Sequence, residues 1–335
     1  MTTQKQPKEW TAGALLGTSG GYWSACALHT AVVLDLFTVI AHDKISGDEI
    51  ADKLGLDRRA ASMLFNALAA MSLLEKQDGL YSNTSFGKKH LVKDAPEYLG
   101  FMIKHHHYLL KSWSQLEESI RSGEPVRARA SQNTPEQREA FLMGMHNNAL
   151  GTAPIVAKAL DLSGRRHLID VGGGPGTYSI HFCKQYPQLK ATVCDLPSTR
   201  IFAEKNIAAF GMSDRIDFVE TDYLSQAIGG NHDAAWLSHI LHGEGPRDCR
   251  SIIAKVVGSL NRGGLIAIHD FILNETMDTP LFPALFSLNM LLGTPEGQSY
   301  SEGQLNAMLR DNGVRDIRRL PFRGPTQSSI ITGLV

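Results

Sequence analysis

The sequence predicts an α/β fold, a doubly wound and mostly parallel sheet in the second half of the chain, preceded by a smaller and mainly helical domain. Three observations carry this. After Leu162 the helical pattern gives way to short apolar runs, His167-Leu-Ile-Asp-Val, Ala191-Thr-Val-Cys, Ile216-Asp-Phe-Val, Ala234-Ala-Trp-Leu, Leu265-Ile-Ala-Ile and Ser329-Ile-Ile-Thr-Gly, most of them separated by helical stretches. Strands alternating with helices wind into a parallel sheet whose ligands sit at the carboxyl ends of the strands. The first of these runs leads into a turn with glycines at 172, 173, 174 and 176. Before residue 95, two helical segments and a hairpin signal describe a different architecture and hence a separate domain.

The 335 residues suit two domains of about 100–200 residues each. With 33 Lys+Arg against 34 Asp+Glu, the charge balance gives no electrostatic reason to expect nucleic-acid or anionic-membrane binding. Cys26, Cys183, Cys194 and Cys249 lack C-x-x-C spacing, which argues against a zinc cage or a disulfide framework and for a reducing cytoplasm. No run of 18 apolar residues occurs and the start, MTTQKQPKEW, has none behind its charges, so neither a membrane span nor export is expected.

Trp10 to Ile40 is apolar and Ala-rich, broken at Gly17, Gly20 and Gly21. It reads as one or two helices with more apolar surface than one core-facing stripe needs, and so predicts a partner surface such as another subunit. Ser46 and Glu49 stand in capping-box spacing ahead of one helix, and Asp57 precedes a second through Met63, Leu64, Leu68 and Met71. Leu73 to Lys76, the Asp78-Gly79 turn and Leu80 to Ser82 form a hairpin. Helix, turn, helix and hairpin make a winged-helix arrangement, which in other chains reads DNA. Here the second helix carries only Arg58 and Arg59 as cations, whereas a DNA-reading face needs basic and polar side chains, so a dimerisation module is the better reading.

Residues 95–150 are helical in pattern, with a loop at Gly123-Glu-Pro-Val-Arg-Ala-Arg. His105, His106 and His107 are consecutive. Neighbours on a helix point about 100° apart and cannot converge on one ion, so these are read as core-edge histidines. The expected division is a dimerisation domain at 1–95, a helical linker and pocket region at 96–160, and a catalytic domain at 161–335.

In Asp170-Val-Gly-Gly-Gly-Pro-Gly-Thr-Tyr the glycines let the chain turn sharply and a ligand approach the backbone. Asp195 closes the second strand 19 residues after Gly176, where a carboxylate can accept from the ribose hydroxyls of a nucleotide cofactor. The loop departs from G-x-G-x-x-G, which counts against a nicotinamide dehydrogenase, and it lacks the Lys-Ser/Thr pair of a P-loop. A nucleoside cofactor without phosphate fits.

At this point the chain resembles the S-adenosylmethionine-dependent O-methyltransferases of the acetylserotonin and plant phenolic type. The resemblance rests on Asp170-Val-Gly-Gly-Gly-Pro-Gly, Cys194-Asp195-Leu196-Pro197, Thr221-Asp222-Tyr223-Leu224, Ser238-His239-Ile240-Leu241-His242 and Asn261-Arg-Gly-Gly-Leu, in order behind the winged-helix domain. It implies a Rossmann-like class I catalytic domain, S-adenosyl-L-methionine as cofactor and a homodimer acting on a small-molecule acceptor. Gly172 and Gly174 would take the methionine part of the cofactor, Asp195 the ribose, Asp222 the adenine amino group and Tyr223 the ring, with Ser238 and His239 at cofactor-facing positions.

His242 matches the general base. A phenol of pKa near 10 is protonated at neutral pH, and a histidine of pKa near 6.5 can accept its proton as the methyl arrives. The resembling enzymes place an aspartate after the base, where this chain has Gly243 and then Glu244. Of the two acids that flank the base there, one matches Asp270; the other falls near Ser299, with Glu296 and Glu302 as possible substitutes. That incomplete set keeps open carbon methylation next to a ketone, with His239, His242, His269 and Asp270 as candidate metal donors; no metal is assigned. The acceptor pocket is expected between the helical part and the sheet, with Met143, Met145, His146, Asn147, Phe286, Met290 and Leu291 as candidates. The sequence thus predicts a cytoplasmic homodimeric methyltransferase acting on a hydroxyl of a small metabolite, an aromatic one among the candidates. The competing class is a winged-helix transcription regulator that senses a nucleoside-like ligand.

Overall fold

The structure, a computed structural model, describes residues 9–129 and 134–335, so most of the charged start of the chain lies outside it. It comprises two units that meet between His107 and Tyr108.

The first unit opens with three helices where the apolar pattern suggested one or two: α1 (Ala12–Gly20), α2 (Tyr22–Val33) and α3 (Leu36–Ile40). The extra break falls at Asp35, whose backbone is left-handed at φ 52°. None of α1 is buried, and Trp10, Leu15, Leu16, Tyr22 and Trp23 lie exposed. The short β1 (Ile45–Ser46) leads into α4 (Gly47–Leu54), capped by Ser46 Oγ accepting from Glu49 N at 3.2 Å. The expected capping box is half made, because Glu49 pairs with Lys53 at 2.9 Å. Asp57 Oδ1 caps α5 (Arg58–Ala70) through Ala60 N at 2.8 Å. The hairpin β2 (Leu74–Gln77) and β3 (Leu80–Asn83) turns through Asp78 and Gly79, both at positive φ as a tight two-residue turn requires. β1 adds to β3 to complete an antiparallel sheet. Phe37, Ile40, Ile50, Phe65 and Leu68 form this unit's core. After α6 (Ser85–His90), α7 (Gly100–Trp113) runs across the division between the units, so the stretch 96–160 is shared between them.

The second unit adds α8 (Leu116–Ser122) and the long α9 (Pro135–Ala159), then β4 (His167–Val171), α10 (Thr177–Gln185), β5 (Lys190–Asp195), α11 (Arg200–Ala209), β6 (Ile216–Glu220) and β7 (His232–Ser238). There follow α12 (Pro246–Ser259), β8 (Leu260–Asp270), α13 (Leu281–Leu291), α14 (Glu302–Asp311), β9 (Arg315–Arg319) and β10 (Ser329–Leu334). The strands form one sheet in the order β6-β5-β4-β7-β8-β10-β9. Every predicted strand is present. β9, which the sequence reading missed, is Arg-Asp-Ile-Arg-Arg at the sheet edge, where charge discourages further pairing and no apolar alternation announces a strand.

Alternation along β4 sends Leu168 to the core under α10 and α11, and Ile169 and Val171 to the core under α12 and α14. β10 runs antiparallel to β8, while β6 through β8 are parallel. The strand order therefore reverses direction between β4 and β7, and the crevice at their carboxyl ends is where ligands of such sheets bind. Among the described residues no helix is long and apolar enough to cross a membrane.

Candidate active site

The glycine loop occupies that crevice. Gly172, Gly174 and Gly176 all have positive φ, at 65°, 54° and 72°, a region side chains rarely tolerate. Gly172 N–H donates to Cys194 O at 2.8 Å. A Cβ there would collide with Ile240 Cγ2 and come within 3.4 Å of the Tyr223 ring. Gly174 differs, since nothing lies within 4 Å of where its Cβ would be. Its N–H donates to Asp195 Oδ2 at 2.8 Å, while Asp195 Oδ1 accepts from Leu196 N at 2.7 Å and Thr199 Oγ1 at 3.1 Å. A carboxylate has about four acceptor sites, so capacity remains for a ligand hydroxyl. Burial pushes the Asp195 carboxyl up, and these three donors oppose it.

Behind the loop lies Asp170, almost fully buried. Its Oδ2 accepts from Ser179 Oγ at 2.7 Å, and its Oδ1 has no hydrogen-bond partner. Burial pushes the carboxyl up to about 7. A raised folded-state pKa means the native protein holds a proton that the unfolded chain has lost, so this group's contribution is present below about pH 4 and is lost as pH rises through about 7. Asp170→Asn, in the ligand-free protein, is therefore expected to raise Tm above wild type at pH 8, with the gap closing toward pH 4. Thermal melts across that range check it; a gap constant with pH contradicts it.

Asp222 folds its own loop, its carboxylate accepting from Leu224 N at 3.0 Å and Ser225 Oγ at 2.7 Å. That places Tyr223 beside Gly172.

The second group of residues follows from register. β7 and β8 pair Ser238 with His269, so His239 and Asp270 leave the sheet side by side. His242 lies one turn further, in the short helix Leu241–Gly243, and is buried. Its Nδ1 is 2.6 Å from Asp270 Oδ1, which also accepts from Phe271 N at 2.8 Å. Burial disfavours the charge on Asp270, but the adjacent imidazoles, His242 foremost, outweigh it and hold the carboxyl well below the usual range. Phe271 stacks on His242 at 5.8 Å and Phe286 meets it edge-on at 4.7 Å, with Phe282 at 4.9 Å from Phe271. The base candidate thus stands in a phenylalanine wall built from the end of β8 and from α13.

Ser238 is engaged by His269, whose Nδ1 lies 3.0 Å from its hydroxyl and whose Nε2 contacts Ser328 Oγ at 2.9 Å. His269 thereby stands apart from the group formed by His239, His242 and Asp270, whose donor atoms lie within 4.8 Å of one another. The 2.6 Å separation of His242 Nδ1 and Asp270 Oδ1 is that of a short, strong hydrogen bond.

Of the sites offered for a second flanking acid, Ser299 and Glu302 serve other ends. Ser299 Oγ donates to Pro283 O at 2.9 Å, and Glu302 pairs with Arg319 at 3.1 Å on α14. The Glu296 carboxylate lies against Gly245, where a Cβ would collide with it. Glu244 is buried in a two-pronged pair with Arg129, at 2.9 and 3.0 Å.

Of the acceptor-pocket candidates, Phe286 reaches His242 and Met290 is buried. His146 is committed elsewhere: its Nδ1 bonds Thr177 Oγ1 at 2.9 Å and Asn206 Nδ2 at 3.3 Å, and burial with the nearby His181 lowers its pKa to about 4. Asn206 also donates to Pro175 O at 2.8 Å, so His146 braces the glycine loop through α10 and α11. Its Nδ1 is thus taken up by the loop and is not available to an acceptor. The sequence reading missed Phe271 and Phe282; the one signal for Phe282 was its i, i+4 spacing to Phe286.

A glycine loop suited to a nucleoside without phosphate, an acid at the next strand end and this sheet order define a class I S-adenosylmethionine-dependent methyltransferase. The O-methyltransferase domain model matches residues 117–315, and the O-methyltransferase dimerisation domain model matches residues 16–93. The chain belongs to the O-methyltransferase family, and its cofactor is S-adenosyl-L-methionine. It is 33% identical over 320 residues to 3-hydroxy-5-methyl-1-naphthoate 3-O-methyltransferase of Streptomyces sahachiroi, covering 94% of this chain and 92% of that one. An O-methyltransferase family protein from Burkholderia thailandensis superposes with TM-score 0.86 at 28% identity, covering 97% and 98% of the two chains. PigF of a Serratia species, an S-adenosyl-L-methionine-dependent methyl transferase 27% identical over 91% of each chain, was solved with SAH; that structure superposes at TM-score 0.88, covering 97% of this chain and all of the other at 26% identity.

Proposed function

We propose that this enzyme methylates a phenolic hydroxyl of a small aromatic metabolite, with His242 as general base and Asp270 as its orienter. The observation that carries the proposal is the buried His242–Asp270 pair set in the wall of Phe271, Phe282 and Phe286, a surface suited to a flat ring. The cofactor supplies an electrophilic methyl group on a sulfonium that is already a good leaving group. What remains for the protein is orientation and removal of one proton. Asp270 holds Nδ1 of His242, which fixes the tautomer that leaves Nε2 free to accept the phenolic proton, and the carboxylate stabilises the imidazolium that results. Gly172 and Gly174 would hold the methionine part of the cofactor against the backbone, and Asp195 would accept from the ribose. Asp222 would receive the adenine amino group and Tyr223 would pack on the ring, with Ser238 at a further cofactor-facing position.

The same reading takes the first domain as a winged-helix module that pairs two copies through the exposed apolar side chains of α1 and α2. Arg58, a cation that DNA contact would need, is held by both oxygens of Asp52, which favours an enzyme over a transcription regulator. Four free cysteines fit a cytoplasmic protein.

Incubating the protein with methyl-labelled S-adenosylmethionine and a panel of hydroxynaphthoates and simpler phenols tests the proposal. Label is expected in an aryl methyl ether, and pre-methylated analogues should accept none. Label on carbon, or none from any free phenol, refutes the reading.

A further inference from the structure

The mechanism above gives His239 no task. Its backbone is left-handed at φ 57°, a conformation non-glycine residues adopt under strain, and its N–H is fixed to His269 O at 2.8 Å. The ring is turned toward β8, with its centroid 4.5 Å from His269 and 4.4 Å from Phe271. Its Nδ1 is buried without a hydrogen-bond partner and stops 3.6 Å from Asp270 Oδ1. Two imidazoles therefore stand on the one carboxylate oxygen. The titratable groups facing His239 are Asp270 and His269 from β8 and His242 from the turn after β7.

We propose that His239 is a positioning residue for the methyl transfer, which as second imidazole on Asp270 keeps that carboxylate in the orientation that presents His242 to the acceptor. The inference rests on the reading of His242 as the base. A carboxylate rotates about a broad torsion, and here Phe271 N–H on one side and the His239 ring on the other limit it. Burial holds His239 below the ordinary histidine pKa, and Asp270 opposes this only in part. While His239 is neutral, the charge of Asp270 serves the imidazolium formed on His242.

Two variants test it. His239→Phe keeps a ring and removes both nitrogens; His239→Asn restores a nitrogen near the Nδ1 position and tolerates the left-handed backbone. The Phe variant is expected to lower kcat by up to about a hundredfold, the scale of a misplaced catalytic group, without changing KM for S-adenosylmethionine. The Asn variant should recover part of that loss. Wild-type kcat in the Phe variant, or Asn and Phe variants alike in turnover, overturns the proposal. Should the Phe variant fail to fold in a thermal melt, His239→Gly, which suits the left-handed backbone and also removes both nitrogens, takes its place with the same expected loss. His242→Ala measured in parallel separates the two readings: wild-type turnover there overturns the base assignment and this proposal together, whereas collapse there with wild-type behaviour at His239 overturns this proposal alone.

Discussion

His242→Ala is expected to lower kcat by about 10²–10⁴-fold, the range general-base catalysis supplies, with SAH affinity by calorimetry unchanged. The two effects separate because the two halves of the site are built separately. His242 bonds to Asp270 and packs on Phe271 and Phe286, whereas the glycine loop is held by Cys194 and Asp195 on β5. The residual rate carries its own signature. Without a base the acceptor reacts only as its own anion, so turnover of the variant should climb with pH toward the phenol pKa near 10, where wild type levels off. A variant as fast as wild type at neutral pH would mean that the acceptor arrives already ionised.

The cofactor half of this site was legible in sequence because its determinants are local. Four glycines, a strand before them and Asp195 at the next strand end are read along the chain, and the backbone of Gly172 and Gly174 is left-handed as that reading needs. The pairing of His242 with Asp270 was legible by resemblance, since the residues are 28 apart and only the β7–β8 register joins them. Two kinds of information were not local. The turn of His239 toward β8 depends on a positive φ that no histidine announces. The bond of His146 to Thr177 and Asn206 depends on how α9 lies over α10 and α11, and an apolar helical pattern gives the face of a helix without its partner. β9 was missed for a different reason, because an edge strand of arginines carries the signature of a surface, as its place in the sheet requires.

Gly172→Ala and Gly174→Ala should part company although both glycines have positive φ. Either substitution places an alanine in the left-handed region at roughly 1–2 kcal/mol. At 172 the new Cβ also collides with Ile240 Cγ2, and forcing a methyl into packed space adds about 1–3 kcal/mol. Gly172→Ala should therefore cost about 2–5 kcal/mol in denaturant unfolding, a large part of a typical domain's stability. At 174 nothing lies within 4 Å of the new Cβ, so the stability loss should stay near the backbone strain alone. The proposed function puts the methionine part of the cofactor in that open space, so Gly174→Ala should instead lose SAH affinity beyond its loss of stability. Ile240→Ala supplies the internal control. In the double variant Gly172→Ala/Ile240→Ala the collision is removed, and the two destabilisations should sum to less than their separate values. Strict additivity would mean that the strain at Gly172 lies in its backbone conformation and that Ile240 plays no part in shaping the loop.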